Sequence, residues 1–305
     1  MRIEPLSTCE RNFIRECILI NKRVDGRSSD DFRKFDISIS ESDGIIIAML
    51  GKTKVSAQIN SHTFQPRPHH PQNGSLHIDV DMSPMASPNH DNRLLGRRGL
   101  ELTSFLEALY RDSECIDFES LCIKEGELAV ELKIMVRILD DEGSLFDCAS
   151  IAITTALSLY RRPFVEIRDG LAITYSASEK ALVPIDLYHK PFSITFGFMK
   201  DISFPILDPT DRETLCLEGS LVIGCNKRGE VCNLFQSGRL LINHEMVLKC
   251  IARALSRCEH VTDLIVAVVE RQKRSEMGVT SVPMEITNPN VPGHVSKAEE
   301  EMSIG

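Results

Sequence analysis

The chain has 305 residues, 42% hydrophobic and 26% charged, with a formal net charge of −9 and a pI near 5.5. This composition fits a globular protein with a sizeable core. The longest apolar runs, "IIIAML" (45–50) and "LIVAVV" (264–269), fall far short of the roughly 20 residues of a membrane span. The acidic balance argues against a self-sufficient nucleic-acid binder, which carries a basic face.

Local basic groups remain at Lys22-Arg23, Arg97-Arg98, Arg161-Arg162 and within 271–274, where a solvated rim is the default. The start, "MRIEPLSTCERNFIREC", has no signal-type apolar core, so secretion is not expected. The ten cysteines form no C-x-x-C and no zinc-finger spacing, and are expected to be reduced structural thiols of an intracellular protein.

In chain order, residues 8–20 predict a helix, followed by the turn "RVDGRSSDD". "IIIAML" and "KVSAQI", separated by Gly51-Lys52, predict a hairpin. A Pro- and His-containing loop (64–74) carries His69-His70 and leads to the strand "SLHIDVDM" (75–82). There His77, Asp79 and Asp81 share a face; they could be metal ligands, but a solvated strand is the preferred reading.

Residues 97–114 have apolar positions at 102, 105, 106 and 109, on one helical face. Residues 127–139 alternate strictly, with Leu128, Val130, Leu132, Ile134, Val136 and Ile138 to one side, which predicts a long half-buried strand. A Gly-Ser turn follows, and a helix is expected from about 147 to 161 with Ser144 or Asp147 as its N-cap.

Such a turn has the layout of a phosphate cradle, because a helix N-terminus presents unpaired N–H groups and partial positive charge. Yet Asp140, Asp141, Glu142 and Asp147 crowd it. Strands at 192–198, 219–226 and 230–236, an acid-rich turn at 207–219, and helices from about 243 and over 260–275 complete an α+β pattern of two similar lobes. We place the first lobe with its N-terminal helix at 1–190, the second at 191–282 and a loose polar tail at 283–305.

Taken together, several blocks resemble the RNase PH fold, in its exosome branch. They are "RVDGRSSDDFRKF", "GSLHIDVDMSPMASP", "LDDEGSLFDCASIAITTALSLYRRP" and "LDPTDRE" with "GSLVIGCNKRGEVC", in order over about residues 20–275. The resemblance implies two βαβα-type lobes, the first like ribosomal protein S5 domain 2. It also implies a six-membered ring of RNase PH-like heterodimers with S1/KH-type cap subunits. RNA would thread the central channel toward an associated hydrolytic exoribonuclease, in nucleus, nucleolus and cytoplasm, with no cofactor, metal or membrane.

Active relatives hold phosphate with a Gly-Thr-Arg turn; here it is Gly143-Ser144-Leu145, so the guanidinium position is Leu145. The family's aspartate pair falls on Arg212 and Glu218. The vestigial site is therefore Ser144, Leu145, Arg212 and Glu218, with no catalytic residue. Arg97, Arg98 and Arg111 occupy the helix that holds RNA backbone in the family, and interface ion pairing is their alternative role. The expectation is a non-catalytic ring subunit. The rivals are an active phosphate-dependent 3′–5′ exoribonuclease and a stand-alone RNA-binding module.

Overall fold

The computed structural model describes residues 6–40, 44–87, 90, 96–168, 171–175, 178–200, 202 and 204–276. Helix α1 (Thr8–Leu19) is started by Ser7, whose Oγ accepts from Glu10 N–H while the Glu10 carboxylate accepts from Ser7 N–H. Strands β1 (Phe35–Ile39), β2 (Ile46–Leu50) and β3 (Thr53–Phe64) form an antiparallel meander, with β2 and β3 making the expected hairpin.

Strand β4 (Ser75–Met82) precedes α2 (Arg97–Glu107), which runs into a π turn, Ala108–Asp112. Strand β5 (Cys122–Lys124) leads to β6 (Leu128–Asp140), which alternates as its sequence requires: Val130, Leu132, Ile134, Val136 and Ile138 are all buried. Strand β6 pairs antiparallel with β3 and parallel with β4, the latter needing the crossover that α2 supplies. The sheet order is β1-β2-β3-β6-β4, with β5 on β6.

Helix α3 (Leu145–Leu159) begins two residues before the expected start and ends two before the expected end. From Leu145 to Leu157 all but Phe146 are buried, not a single stripe, because α3 packs against β2 and β3 on one side and against the second lobe on the other. Two short ribbons follow: β7 (Arg161–Arg162) with β10 (Val183–Pro184), and β8 (Val165–Arg168) with β9 (Leu171–Thr174).

The second sheet has the order β12-β11-β13-β14, from β11 (Phe192–Phe198), β12 (Ile206–Leu207), β13 (Gly219–Cys225) and β14 (Val231–Gly238), with the one-turn helix α4 (Asp211–Thr214) between β12 and β13. The two helices expected beyond 243 are one, α5 (His244–Glu276). No Gly or Pro interrupts 256–262, and Cys250, Ala254, Cys258, Val261, Ile265 and Val269 continue one buried stripe at helical spacing. A single apolar core runs through both sheets, and α1 packs outside it through Ile14 and Ile18 on Met199 and Ile206. The tail expected at 283–305 lies outside the described residues.

Candidate functional site

The β6–α3 turn is built on two left-handed residues, Gly143 (φ +93°) and Ser144 (φ +51°). A Cβ on residue 143 would lie 2.5 Å from Pro209 O and 2.7 Å from Asp211 N, so only glycine fits. The segment after β12 is laid directly over the turn. Asp211 N–H donates to Glu142 O (3.1 Å), and Ser144 Oγ donates to Pro209 O (3.1 Å). Ser144 occupies the N-cap position, but its side chain makes no cap hydrogen bond to α3.

Three arginines of the "RVDGRSSDDFR" stretch hold that overlay in place. Arg33 binds both oxygens of Asp208 (Nε–Oδ2 2.9 Å, Nη2–Oδ1 2.7 Å) and donates to the carbonyls of Glu142 (3.1 Å) and Gly143 (3.0 Å). Arg27 adds a contact to Asp208 Oδ2 (3.0 Å). Arg23 binds both Glu213 oxygens and the carbonyls of Leu207 (2.7 Å) and Asp208 (2.8 Å). Asp208 is fully buried at φ +50°, and Glu213 is buried and completes a capping box with Thr210.

The carboxylates around the turn do not act as one repulsive group. Asp141 lies 3.2 Å from His90 Nε2 and 3.7 Å from Arg98, and Glu142 lies 3.4 Å from Lys52. Asp147, expected to repel an anion at the helix start, is instead fully buried and turned inward. It accepts from Thr195 N–H (3.0 Å) and Thr195 Oγ1 (2.7 Å). Burial first, and nearby Asp208 next, push its carboxyl well above the usual carboxylate range, favouring the neutral acid. Burial and Asp141 also raise Asp211, against the pull of Arg98.

Of the vestigial residues named from sequence, Ser144 sits in the turn and Leu145 lies in the core, 5% exposed. Arg212 points outward, 4.0 Å from Glu10, and Glu218 is exposed just before β13. The groups meeting the turn are Pro209, Thr210 and Asp211. Arg97 pairs with Glu101 (2.7 Å) and Arg111 with Asp112 (3.4 Å), while Arg98 reaches toward the turn through Asp141.

On β4, Asp79 faces Lys133 (3.3 Å), Asp81 faces Arg137 (3.9 Å) and His77 faces Glu107 (3.5 Å). Among the described residues no group of three or more His, Cys, Asp or Glu could hold a metal ion. Sequence reasoning missed the roles of Arg23, Arg27 and Arg33. The available signals were the R-x-D-G-R spacing and the T-x-x-E capping box at Thr210.

Residues 31–163 match the 3′ exoribonuclease family, domain 1, and residues 189–257 match its domain 2. The chain is 36% identical to the zebrafish (Danio rerio) "Exosome complex component RRP45" over 274 residues, 90% of this chain and 70% of the relative. With the human protein of the same name it is 32% identical over 274 residues, 90% of this chain and 62% of that one. A chain of the Archaeoglobus fulgidus exosome with RNA bound to the active site superposes with a TM-score of 0.74 at 23% identity, covering 84% of this chain and 97% of that one. That likeness concerns the fold.

Proposed function

Because this chain belongs to the 3′ exoribonuclease family, we propose that it is a ring subunit of an RNA exosome that keeps the family fold without its phosphorolytic chemistry. The observation that carries this reading is the Gly143-Ser144 turn, over which the 209–211 segment is laid and whose Ser144 hydroxyl donates to Pro209 O rather than being left for an anion. Two-point binding by arginine positions phosphate and offsets its charge. At the aligned position this chain has Leu145, packed in the core. Without a bound phosphate nucleophile, Glu218 has nothing to protonate for.

In this proposal the subunit pairs with another RNase PH-like chain in a six-membered ring. S1/KH-type cap subunits and a hydrolytic exoribonuclease complete the assembly, and RNA passes through its channel. The relatives named as exosome components support this placement. The finer assignment is the subunit whose vertebrate form is the polymyositis–scleroderma autoantigen, acting in nucleus, nucleolus and cytoplasm, with lobes at 1–190 and 191–282. The net charge of −9 suits a chain that needs basic neighbours to make an RNA channel.

The test incubates the purified chain, alone and with its RNase PH-like partner, with 3′-unstructured RNA, Mg²⁺ and phosphate. No nucleoside diphosphate traceable to this chain is expected. Release that disappears in Ser144→Ala or Glu218→Gln would overturn the reading. Co-purification of the native chain with the other ring subunits tests the assembly.

A further inference from the structure

The β8–β9 ribbon gathers two aromatic rings and a carboxylate on one side. Phe164 stands just before β8, Glu166 lies within it, and Tyr175 follows β9. Phe164 and Tyr175 oppose each other across the ribbon. Tyr175 N–H donates to Phe164 O (2.9 Å), and the rings lie 6.1 Å apart at an angle of 50°. Glu166, two residues along the extended chain from Phe164, projects to the same side and accepts from the Tyr175 hydroxyl (3.1 Å). The backbone pairs from Val165–Thr174 to Arg168–Leu171 hold this arrangement.

The cluster already encloses a cation. Lys180 Nζ lies 4.3 Å from the Phe164 ring centroid and 4.1 Å from that of Tyr175, and it donates to Glu166 Oε2 (2.9 Å). Both ring distances are inside the roughly 6 Å over which an aromatic face attracts an ammonium. Strand β10 delivers the lysine: Val183 pairs with Arg162 of β7, which sets residue 180 beside residue 164. Lys180 itself belongs to no strand, and Ser178, Glu179 and Ala181 around it are exposed. The Lys180 and Glu166 side chains keep 37% and 36% of their exposure, so the cage opens to solvent on one side.

We infer that Phe164, Tyr175 and Glu166 form a cage for a trimethylated lysine of another polypeptide, which Lys180 caps in the absence of that ligand. The cap shows what fits: the cage accepts a lysine stem and its ammonium, and a ligand of the same length and charge enters by replacing it. Methylation favours the incoming group, because a quaternary ammonium is weakly hydrated and lays its methyl groups against the ring faces. Glu166 complements a lone cation and repels the phosphate that accompanies the ammonium of a choline headgroup. The ligand meets only the uncapped fraction of the chain, so its apparent affinity is lowered by the cap. None of these residues belongs to the Gly143-Ser144 turn or to its arginine junction.

The experiment uses the full chain and a short fluorescein-labelled peptide bearing one trimethyllysine, read by anisotropy, with unmodified-lysine and acetyl-lysine versions as controls. The trimethylated peptide is expected to bind about tenfold or more tightly than either control. Lys180→Ala is expected to tighten that binding about tenfold, because the cap is gone. In the Lys180→Ala background, Phe164→Ala and Tyr175→Ala should each weaken it about tenfold. Glu166→Gln, which keeps an acceptor for the Tyr175 hydroxyl and removes only the charge, should weaken it as well. Tetramethylammonium chloride should displace the peptide.

Equal binding of the trimethylated and unmodified peptides, in the native chain and in Lys180→Ala, would overturn the proposal. So would binding that Lys180→Ala leaves unchanged. A lowered melting temperature in Lys180→Ala without any gain in affinity would make Lys180 a structural latch and equally overturn it. Phosphatidylcholine vesicles that bind Lys180→Ala while the peptide does not would assign the cage to a lipid headgroup instead.

Discussion

Arg33 and Asp208, 175 positions apart, form a buried two-point ion pair with contacts of 2.9 and 2.7 Å. The same guanidinium donates to the Glu142 and Gly143 carbonyls, so one side chain joins the segment before β1, the β6–α3 turn and the segment after β12. The turn that we propose as a lost phosphate site is thereby a three-way structural junction. Asp208 supplies its charge, and Arg27 and the Arg33 N–H, each 3.0 Å from Oδ2, complete its shell.

Removing Asp208 should leave the buried Arg33 guanidinium without its carboxylate, at a cost of about 3–5 kcal/mol, whereas removing Arg33 leaves Asp208 still paired with Arg27 and should cost less. Asp208→Leu alone is therefore expected to lower urea stability by that much, and Arg33→Met by a smaller amount. The double variant should cost less than the two losses added, by about 1 kcal/mol or more, since both buried charges are gone. A double-mutant cycle in urea measures this, and strict additivity would contradict the junction.

Gly143→Ala should destabilise by several kcal/mol. The residue has φ +93°, and its new Cβ would fall 2.5 Å from the Pro209 carbonyl oxygen, backbone that cannot swing aside. Gly126→Ala provides the control: it also has positive φ (+72°), yet a Cβ there meets nothing within 4 Å. The control isolates left-handed strain, about 1–2 kcal/mol, from the clash. Thermal melts of the two variants should separate clearly.

The regular elements were legible because each shows its period within a short window. Strand β6 alternates, and α1 combines a Ser-x-x-Glu start with Ile14 and Ile18 on one face. Helix α5 was split in the sequence reading because polar Arg257, Glu259 and His260 hide the buried thread through Cys258. The junction was illegible for a different reason. Arg23, Arg27 and Arg33 look like an exposed basic run, and only partners 175 to 190 residues downstream make their burial affordable. Asp147 shows the same limit: a first-turn acid normally faces solvent, and only the arrival of Thr195 from the second sheet encloses it.

Under the proposed reading, building the Gly-Thr-Arg turn that the resemblance implies for active relatives, with Ser144→Thr and Leu145→Arg, should not create phosphate binding. Leu145 is 5% exposed within the core, and Ser144 Oγ is committed to Pro209 O. An arginine at 145 would either bury an unpaired charge or push α3 from its place, destabilising by about 3 kcal/mol or more. Calorimetric titration with phosphate should show no heat beyond dilution, alongside a lowered melting temperature. Phosphate binding with unchanged stability would mean that the turn is open in solution.

Asp147 predicts a distinctive pH dependence. Its folded-state pKa is raised above the value of 3.8 for the free side chain, chiefly by burial. The native state therefore holds a proton that the unfolded chain releases once pH passes about 4. The stabilisation from that proton is complete below the unfolded pKa and is lost progressively as pH rises toward the folded one. Asp147→Asn keeps an oxygen to accept from Thr195 N–H and cannot ionise. In urea titrations from pH 4 to 8, the stability of the wild type relative to Asp147→Asn should fall as pH rises. Other groups contribute equally to both proteins and cancel in the difference. A difference that grows with pH would mean that Asp147 is held as the anion, stabilised by Arg33 more than it is penalised by burial.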